Sequence, residues 1–330
     1  MSRCQSRSLD YEKIRGQTMG TYYAMTCEHN QEHLQKSIDS ILIQFNKELS
    51  TYDPESLISI FNQSSDGIQY SAQEKLFATF LETLKVSKLI HSQSEKKFDP
   101  SLMPVINYWG FGYEGREVVN GIDSMKIDSL MQNVGLDKII IDTDKKKIKK
   151  LNPHIELDFS AIAKGYAVDI ICQYLDDQYI QNYLVDIGGE SKAKGFNQAG
   201  KIWTVGINTP SEDAALTDIF SIVRLQSKAL ATSGNYRNFL TNEEGLKYGH
   251  TIDSSDGFPA KTDILSVSVL ADKCILADAW ATSFMALGLE KSKQKIIQLA
   301  DIEALFIYGN NTGQMSTWHS PGFTQYLLQN

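Results

Sequence analysis

The stretch from Glu156 to Asp169 constrains the chain most. It opens on a short extended run, from His154-Ile155, in which Ile155, Leu157 and Phe159 surround an acid, Asp158. A helical pattern follows, with Ile162, Tyr166, Asp169 and Ile170 spaced three or four apart. The spacing predicts a strand, a tight turn and a helix. Ser160 is placed to cap that helix, because its hydroxyl can accept from one of the free N–H groups at the start. Those N–H groups and the helix dipole favour an anion, phosphate above all. Lys164 and Gly165 would bring a cation and a close-approaching backbone to it. The run is therefore either a phosphate cradle with an acid beside it or an ordinary strand–turn–helix unit with a surface lysine, since an element alone does not imply a function.

With 330 residues, the chain can bury a sizeable core in one large domain or two. No linker divides it. Residues 1–15 read as a flexible lead-in, and residues 16–330 as the folded part. Hydrophobic content of 42% and charged content of 22% are those of a soluble globular protein. A formal charge of −8 argues against nucleic acid as a partner, which needs a basic face. A small anionic ligand needs only a local positive site. No run of about 18 apolar residues is available to span a membrane as a helix.

Of the four cysteines, Cys4, Cys27, Cys172 and Cys274, no two form a Cys-x-x-Cys pair, so a zinc site is not expected. Cys4 is followed by the polar Gln5-Ser6-Arg7-Ser8. That order suits a lipid-anchored exported protein, held on the periplasmic side of a bacterial membrane. It equally suits an exposed cysteine in a frayed terminus.

Further along, residues 17–26 read as one strand and residues 31–49 as an amphipathic helix. Tyr108-Trp109-Gly110-Phe111-Gly112 can wall a flat ring or plug a hydrophobic pocket under a loop. A hairpin is expected around Asp142-Thr143-Asp144, and a strand over 183–187 closed by Gly188-Gly189-Glu190. Ser233-Gly234-Asn235-Tyr236 reads as a turn. His250 beside Asp253 is either a general base or a satisfied polar pair. In the apolar helix over 274–288, Asp278 and Thr282 are four apart and share a face. A carboxylate and a hydroxyl so placed suit Mg²⁺, and an acid in such a helix is costly to bury without a partner. An acid near a helix N-terminus facing the dipole is the plainer account.

In their order, Met19-Gly20-Thr21, Phe98-Asp99-Pro100, Trp109-Gly110-Phe111-Gly112, Ala163-Lys164-Gly165-Tyr166-Ala167-Val168-Asp169, Gly188-Gly189, Thr232-Ser233-Gly234, His250-Thr251-Ile252-Asp253 and Ala277-Asp278-Ala279-Trp280-Ala281-Thr282 resemble the ApbE family, the FAD:protein FMN transferases. The resemblance spans about residues 16–310. It implies a mixed α/β (α+β) build with a T-fold-like core. It also implies FAD as substrate, Mg²⁺ as cofactor and a partner flavoprotein whose Thr or Ser receives FMN through a phosphoester while AMP leaves. Some members instead act as Mg²⁺-dependent FAD pyrophosphatases; a protein that binds FAD without chemistry is a third reading. By the same resemblance the Ala161 carbonyl and the Asp278 and Thr282 side chains hold the metal. FAD is expected against Met19, Tyr52, Lys97, Phe98, Asp99, Asp158, Lys164 and Ile252. His250 and Asp278 carry the catalytic roles, His250 assisting deprotonation of the incoming hydroxyl. The chain departs from the family pattern at Ser254, where proline is usual, and at Trp280, bulkier than the usual residue.

Overall fold

The computed structural model describes residues 10–28, 33–70, 77–115, 121–211, 213, 215, 217–235, 239–241, 247–310 and 314–328. In chain order the described elements are strands β1 (Tyr11–Thr18) and β2 (Thr21–Glu28), helices α1 (Leu34–Leu49) and α2 (Leu57–Gln63), strand β3 (Gly67–Gln69), and helices α3 (Ala78–Gln93), α4 (Met103–Tyr108) and α5 (Ser124–Met131). Strands β4 (Ile139–Asp142) and β5 (Lys147–Lys150) lead to helix α6 (Ala163–Asp177). Six strands come next: β6 (Tyr183–Ile187), β7 (Glu190–Lys194), β8 (Trp203–Asn208), β9 (Ile219–Leu225), β10 (Ala229–Gly234) and β11 (Phe239–Thr241). The chain closes with β12 (Lys247–Gly249), β13 (Ile264–Ala271), α7 (Cys274–Leu287), α8 (Leu289–Ile296), β14 (Glu303–Gly309) and β15 (Met315–His319).

Eight strands form one antiparallel sheet in the order β1-β2-β6-β7-β10-β13-β14-β15. Alternation along its strands sorts side chains between two faces. Ala229, Ala231, Val267, Val269, Ala304 and Phe306 join the main core with helices α1, α3, α6 and α7. Their neighbours Leu230, Leu270, Leu305 and Ile307 join a second cluster, closed by Trp203 of β8, Val223 and Leu225 of β9, and Phe323. The sheet is thus covered on both faces, which is why β13 reads as a nearly unbroken apolar run. A third cluster gathers Leu102, Val105, Trp109, Ile127, Val134 and Ile252 under α4 and α5. Among the described residues no helix is long and apolar enough to cross a membrane.

Several expected elements are redrawn. Residues 11–15, expected in the lead-in, form the first part of β1, and the strand expected over 17–26 is instead a hairpin. Met19 and Gly20 make its two-residue turn, at φ of 50° and 69°, the left-handed pair that matches the twist of flanking strands. Among the described residues, extended residues 155–159 pair with no neighbouring strand beyond one bridge, Glu156 to Leu102. The Asn62 side chain holds this segment instead, accepting from the Leu157 N–H at 2.7 Å and donating to its carbonyl at 2.9 Å. Ser233 and Gly234, expected in a turn, end β10; Tyr236 lies outside the described residues, as does Cys4. The hairpin around 142–144 is present as β4 and β5.

Candidate active site

One end of the large sheet carries the β6–β7 turn, at Gly188 and Gly189, and the end of β10, at Thr232, Ser233 and Gly234. A cavity of about 510 Å³ opens there. Its wall brings together Lys97, Phe98 and Asp99 from the α3–α4 loop, Asp158 and Ala161 from the segment before α6, and Lys164 from the first turn of α6. His250, Thr251 and Ile252 come from the segment after β12, and Asp278 and Thr282 from α7. Ten residues named from the sequence therefore meet although they come from four separate segments between Lys97 and Thr282. Met19 and Tyr52 are not in this wall. Met19 packs against the core from the β1–β2 turn, and Tyr52 is 75% exposed beyond α1.

The helix α6 begins at Ala163, two residues later than a Ser160 cap would require, and its N-cap is Ile162 with no side-chain bond. The reason is local. Ser160 donates its hydroxyl to Asp158 Oδ2 at 2.5 Å, and its N–H donates to Oδ1 at 3.0 Å, so both groups are spent on the acid. The Asp158 N–H donates to the Pro100 carbonyl at 2.8 Å, which ties this turn to the Lys97–Asp99 loop. Burial pushes the Asp158 carboxyl up, and the Ser160 groups and the Lys164 charge pull it back only in part.

Gly165 does not present its backbone to a ligand. A Cβ there would stand 2.4 Å from the Cys274 carbonyl oxygen and 2.7 Å from Asp278 Cβ. The glycine lets α6 touch α7, and its N–H donates to Asp278 Oδ2 at 2.9 Å. One turn on, Asp169 accepts from the Ile275 N–H at 2.9 Å through Oδ2 and pairs with Lys192 at 2.6 Å through Oδ1. Residues 165 and 169 are four apart, so one face of α6 fastens the start of α7 at two points. That contact fixes where Asp278 and Thr282 face. Asp278 is only 2% exposed, a burial made tolerable by the Gly165 N–H. The Thr282 hydroxyl lies 3.3 Å from that of Ser233.

Lys164 Nζ is 3.3 Å from Glu190 Oε1, across the mouth of the Gly188–Gly189 turn. Burial alone would push this ammonium down, but the Glu190 and Asp278 charges outweigh it and hold it well above the ordinary lysine value. Burial, the leading effect, raises the Glu190 carboxyl, Asp278 adds to the rise, and Lys164 opposes it. Glu190 is a side chain of the cavity wall that sequence reasoning passed over as the end of a turn. Its signal was an acid entering a strand directly after two glycines, both at positive φ here, 58° and 100°.

The roof of the cavity is latched. Lys97 Nζ is 2.5 Å and 2.7 Å from the two Asp253 oxygens and 2.5 Å from Ser255 Oγ. The carboxylate expected to serve His250 is thus held by Lys97. His250 lies beside Phe111, with ring centroids 6.3 Å apart. Trp109 plugs the third cluster rather than walling the cavity: it is 1% exposed, donates to the Gly257 carbonyl at 2.7 Å, and packs on Tyr248 and Phe258. Asp99 turns its carboxylate to the Ser101 N–H and hydroxyl, at 2.8 Å and 2.5 Å.

Among the described residues no three His, Cys, Asp or Glu side chains are grouped to hold a metal. The donors on offer are one buried carboxylate and neutral oxygens: Asp278, the Thr282 and Ser233 hydroxyls and the carbonyl of Ala161. That set suits Mg²⁺, which keeps several waters and binds through one or two carboxylates together with substrate phosphates. It would not suit zinc, which seeks nitrogen and sulfur.

The sequence model of the ApbE family matches residues 19–306. A FAD:protein FMN transferase of Vibrio cholerae is 32% identical over 319 residues, 95% of this chain and 92% of its own. One of Haemophilus influenzae is 32% identical over 305 residues, 89% of this chain and 85% of its own. Among solved structures, the flavin transferase ApbE from Vibrio cholerae matches with a TM-score of 0.85 at 32% identity, covering 96% of this chain and 99% of that one. The apo flavinyl transferase ApbE of Pseudomonas stutzeri matches at 0.83 and 30% identity, covering 96% of each. The mixed α/β build expected from the motifs is the build these structures share.

Proposed function

This chain belongs to the ApbE family, and from that premise we infer that it is an FAD:protein FMN transferase, which cleaves FAD and leaves FMN on an acceptor flavoprotein. One observation carries the reading beyond the family resemblance: the segments around Lys97, Asp158–Lys164, His250–Ile252 and Asp278–Thr282 converge on one cavity. Its volume, about 510 Å³, is in the range of cofactor and substrate pockets.

The finer assignments are proposals. Asp278, Thr282 and the Ala161 carbonyl would hold Mg²⁺, which would supply neutralisation of the pyrophosphate and stabilisation of the charge developed on cleavage. Lys164 supplies a second positive charge to the phosphates, its ammonium kept charged by its acidic neighbours. Asp158 and the Lys97–Asp99 segment orient the nucleotide, and Ile252 gives it an apolar contact. His250 takes the proton from the acceptor's Thr or Ser hydroxyl. Positioning and electrostatics are most of what phosphoryl-type transfer asks of a protein. We also propose that the chain acts on the periplasmic side of a bacterial membrane, tethered by lipid at Cys4. The support is the polar run that follows that cysteine, and a mass of the exported N-terminal peptide bearing no lipid would end that idea.

The test is incubation with FAD, Mg²⁺ and a candidate flavoprotein. Fluorescent flavin that survives denaturing gel electrophoresis, with the mass of FMN added at a Thr or Ser, is the expected result. FMN and AMP released to water with no acceptor labelled would make the chain a pyrophosphatase. FAD left intact over hours would make it a carrier.

A further inference from the structure

Glu190 is buried, 4% exposed, at the first position of β7, where it lines the same cavity as Asp278 and Thr282. Its Oε1 faces Lys164 Nζ at 3.3 Å. Its Oε2 is also buried and has no hydrogen-bond partner among the described residues. A buried carboxylate oxygen left unpaired is costly, and such a group in a native protein points to a missing water, ion or ligand. Lys164 Nζ stands against Oε1 and leaves Oε2 without a bond. Asp278, also nearby, is an acid that repels Glu190, and Lys164 is a cation close to both.

We propose that Glu190 is a positioning residue of the Mg²⁺ site, its Oε2 accepting a hydrogen bond from a water of the ion's hydration shell while Oε1 holds Lys164. This rests on the metal reading above. Mg²⁺ gives up its waters reluctantly, so a site with a single carboxylate ligand needs acceptors around it for those waters. Such outer partners orient the inner shell, and losing one weakens metal affinity about tenfold to a hundredfold. The Gly188-Gly189 turn then has a further role. It starts β7 at the place that puts Glu190 into the cavity wall.

The experiment is binding of Mn²⁺, an EPR-visible stand-in for Mg²⁺, to the purified chain without nucleotide. Glu190→Gln keeps the shape and removes the charge. It is expected to raise the Kd for Mn²⁺ about tenfold to a hundredfold while the metal-free protein melts as before. Asp278→Ala is the control and is expected to abolish binding. If Glu190→Gln binds as wild type while Asp278→Ala does not, the role of Glu190 is overturned and the transferase reading stands. If Asp278→Ala also binds as wild type, the metal site itself is misplaced and this inference falls with it. Should Glu190→Gln lose its near-ultraviolet circular dichroism, the double variant Lys164→Met/Glu190→Gln removes both charges of the pair. A raised Kd is expected there too, and an unchanged one overturns the proposal.

Discussion

The Gly165 N–H and the Asp278 Oδ2 are 2.9 Å apart, and this single bond joins the first turn of α6 to the second turn of α7. The donor is one of the N–H groups that a helix start leaves without an intrahelical partner. The acceptor is the buried acid proposed to hold the metal. Two requirements meet in one contact: a helix end needs an acceptor, and an acid in an apolar helix needs a donor.

Gly165→Ala should separate the two helices. The added methyl would sit inside contact distance of the Cys274 carbonyl oxygen, at 2.4 Å, and neither backbone can yield cheaply. Alanine would otherwise favour a helix by about 1 kcal/mol. The overpacking penalty of about 1–3 kcal/mol should exceed that gain, and urea denaturation would read the net loss. A variant as stable as wild type would show that the α6–α7 contact is looser than described.

Asp278→Ala should lower Mg²⁺-dependent AMP release from FAD by about a hundredfold or more, since metal stabilisation of transition-state charge is worth several kcal/mol. Thr282→Val, which keeps the shape and removes the hydroxyl, should raise the Mg²⁺ concentration needed for half-maximal rate. Unchanged AMP release by Asp278→Ala would refute the metal assignment.

The parts of the site that the sequence made legible are those whose chemistry shows in spacing. Asp278 and Thr282 are four apart in an apolar helix, and both line the cavity. Lys164 in the first turn of α6 does the same. What stayed hidden depends on partners distant in sequence. Ser160 looks like a cap until Asp158 is seen to take its hydroxyl. Gly165 looks like a phosphate glycine until α7, over 100 residues later, is found against it. Asp253 looks like a partner for His250, yet Lys97, 156 residues earlier, holds it. The Met19–Gly20 hairpin was missed for another reason: apolar and β-branched residues flank the turn on both sides, so the pattern ran on as one strand.

Asp169→Ala should destabilise the fold, although Asp169 does not itself line the cavity. The carboxylate caps the otherwise uncapped start of α7 at Ile275 and pairs with Lys192, and both bonds are partly buried. A lost cap and a buried donor left unpaired together cost about 1–3 kcal/mol. Asp169→Asn should recover part of this, because its amide oxygen can still accept from Ile275 while the ion pair is gone. Equal stability of the alanine and asparagine variants would mean that the cap contributes nothing.

The latch between Lys97 and Asp253 should weaken in acid. Burial pushes the Asp253 carboxyl up, but bonds from the Lys97 ammonium and from the Ser255 N–H and hydroxyl outweigh it and hold the group below its ordinary value. A carboxyl lowered on folding adds stability that is fully present above the unfolded-state value, about 4, and is lost as pH falls through the lower folded-state value. Asp253→Asn should therefore be less stable than wild type at pH 7, with the difference shrinking as pH falls below about 4. Ser254 acts on the same latch: its hydroxyl donates to the Lys96 carbonyl at 2.7 Å, a bond that a proline there could not make. Ser254→Pro should loosen the loop at every pH, because a hydroxyl–carbonyl bond does not titrate in this range. Unfolding free energies of both variants from pH 3 to pH 7 separate the two effects, and a pH-independent deficit in Asp253→Asn would show that the Lys97 ion pair is not what the carboxylate contributes.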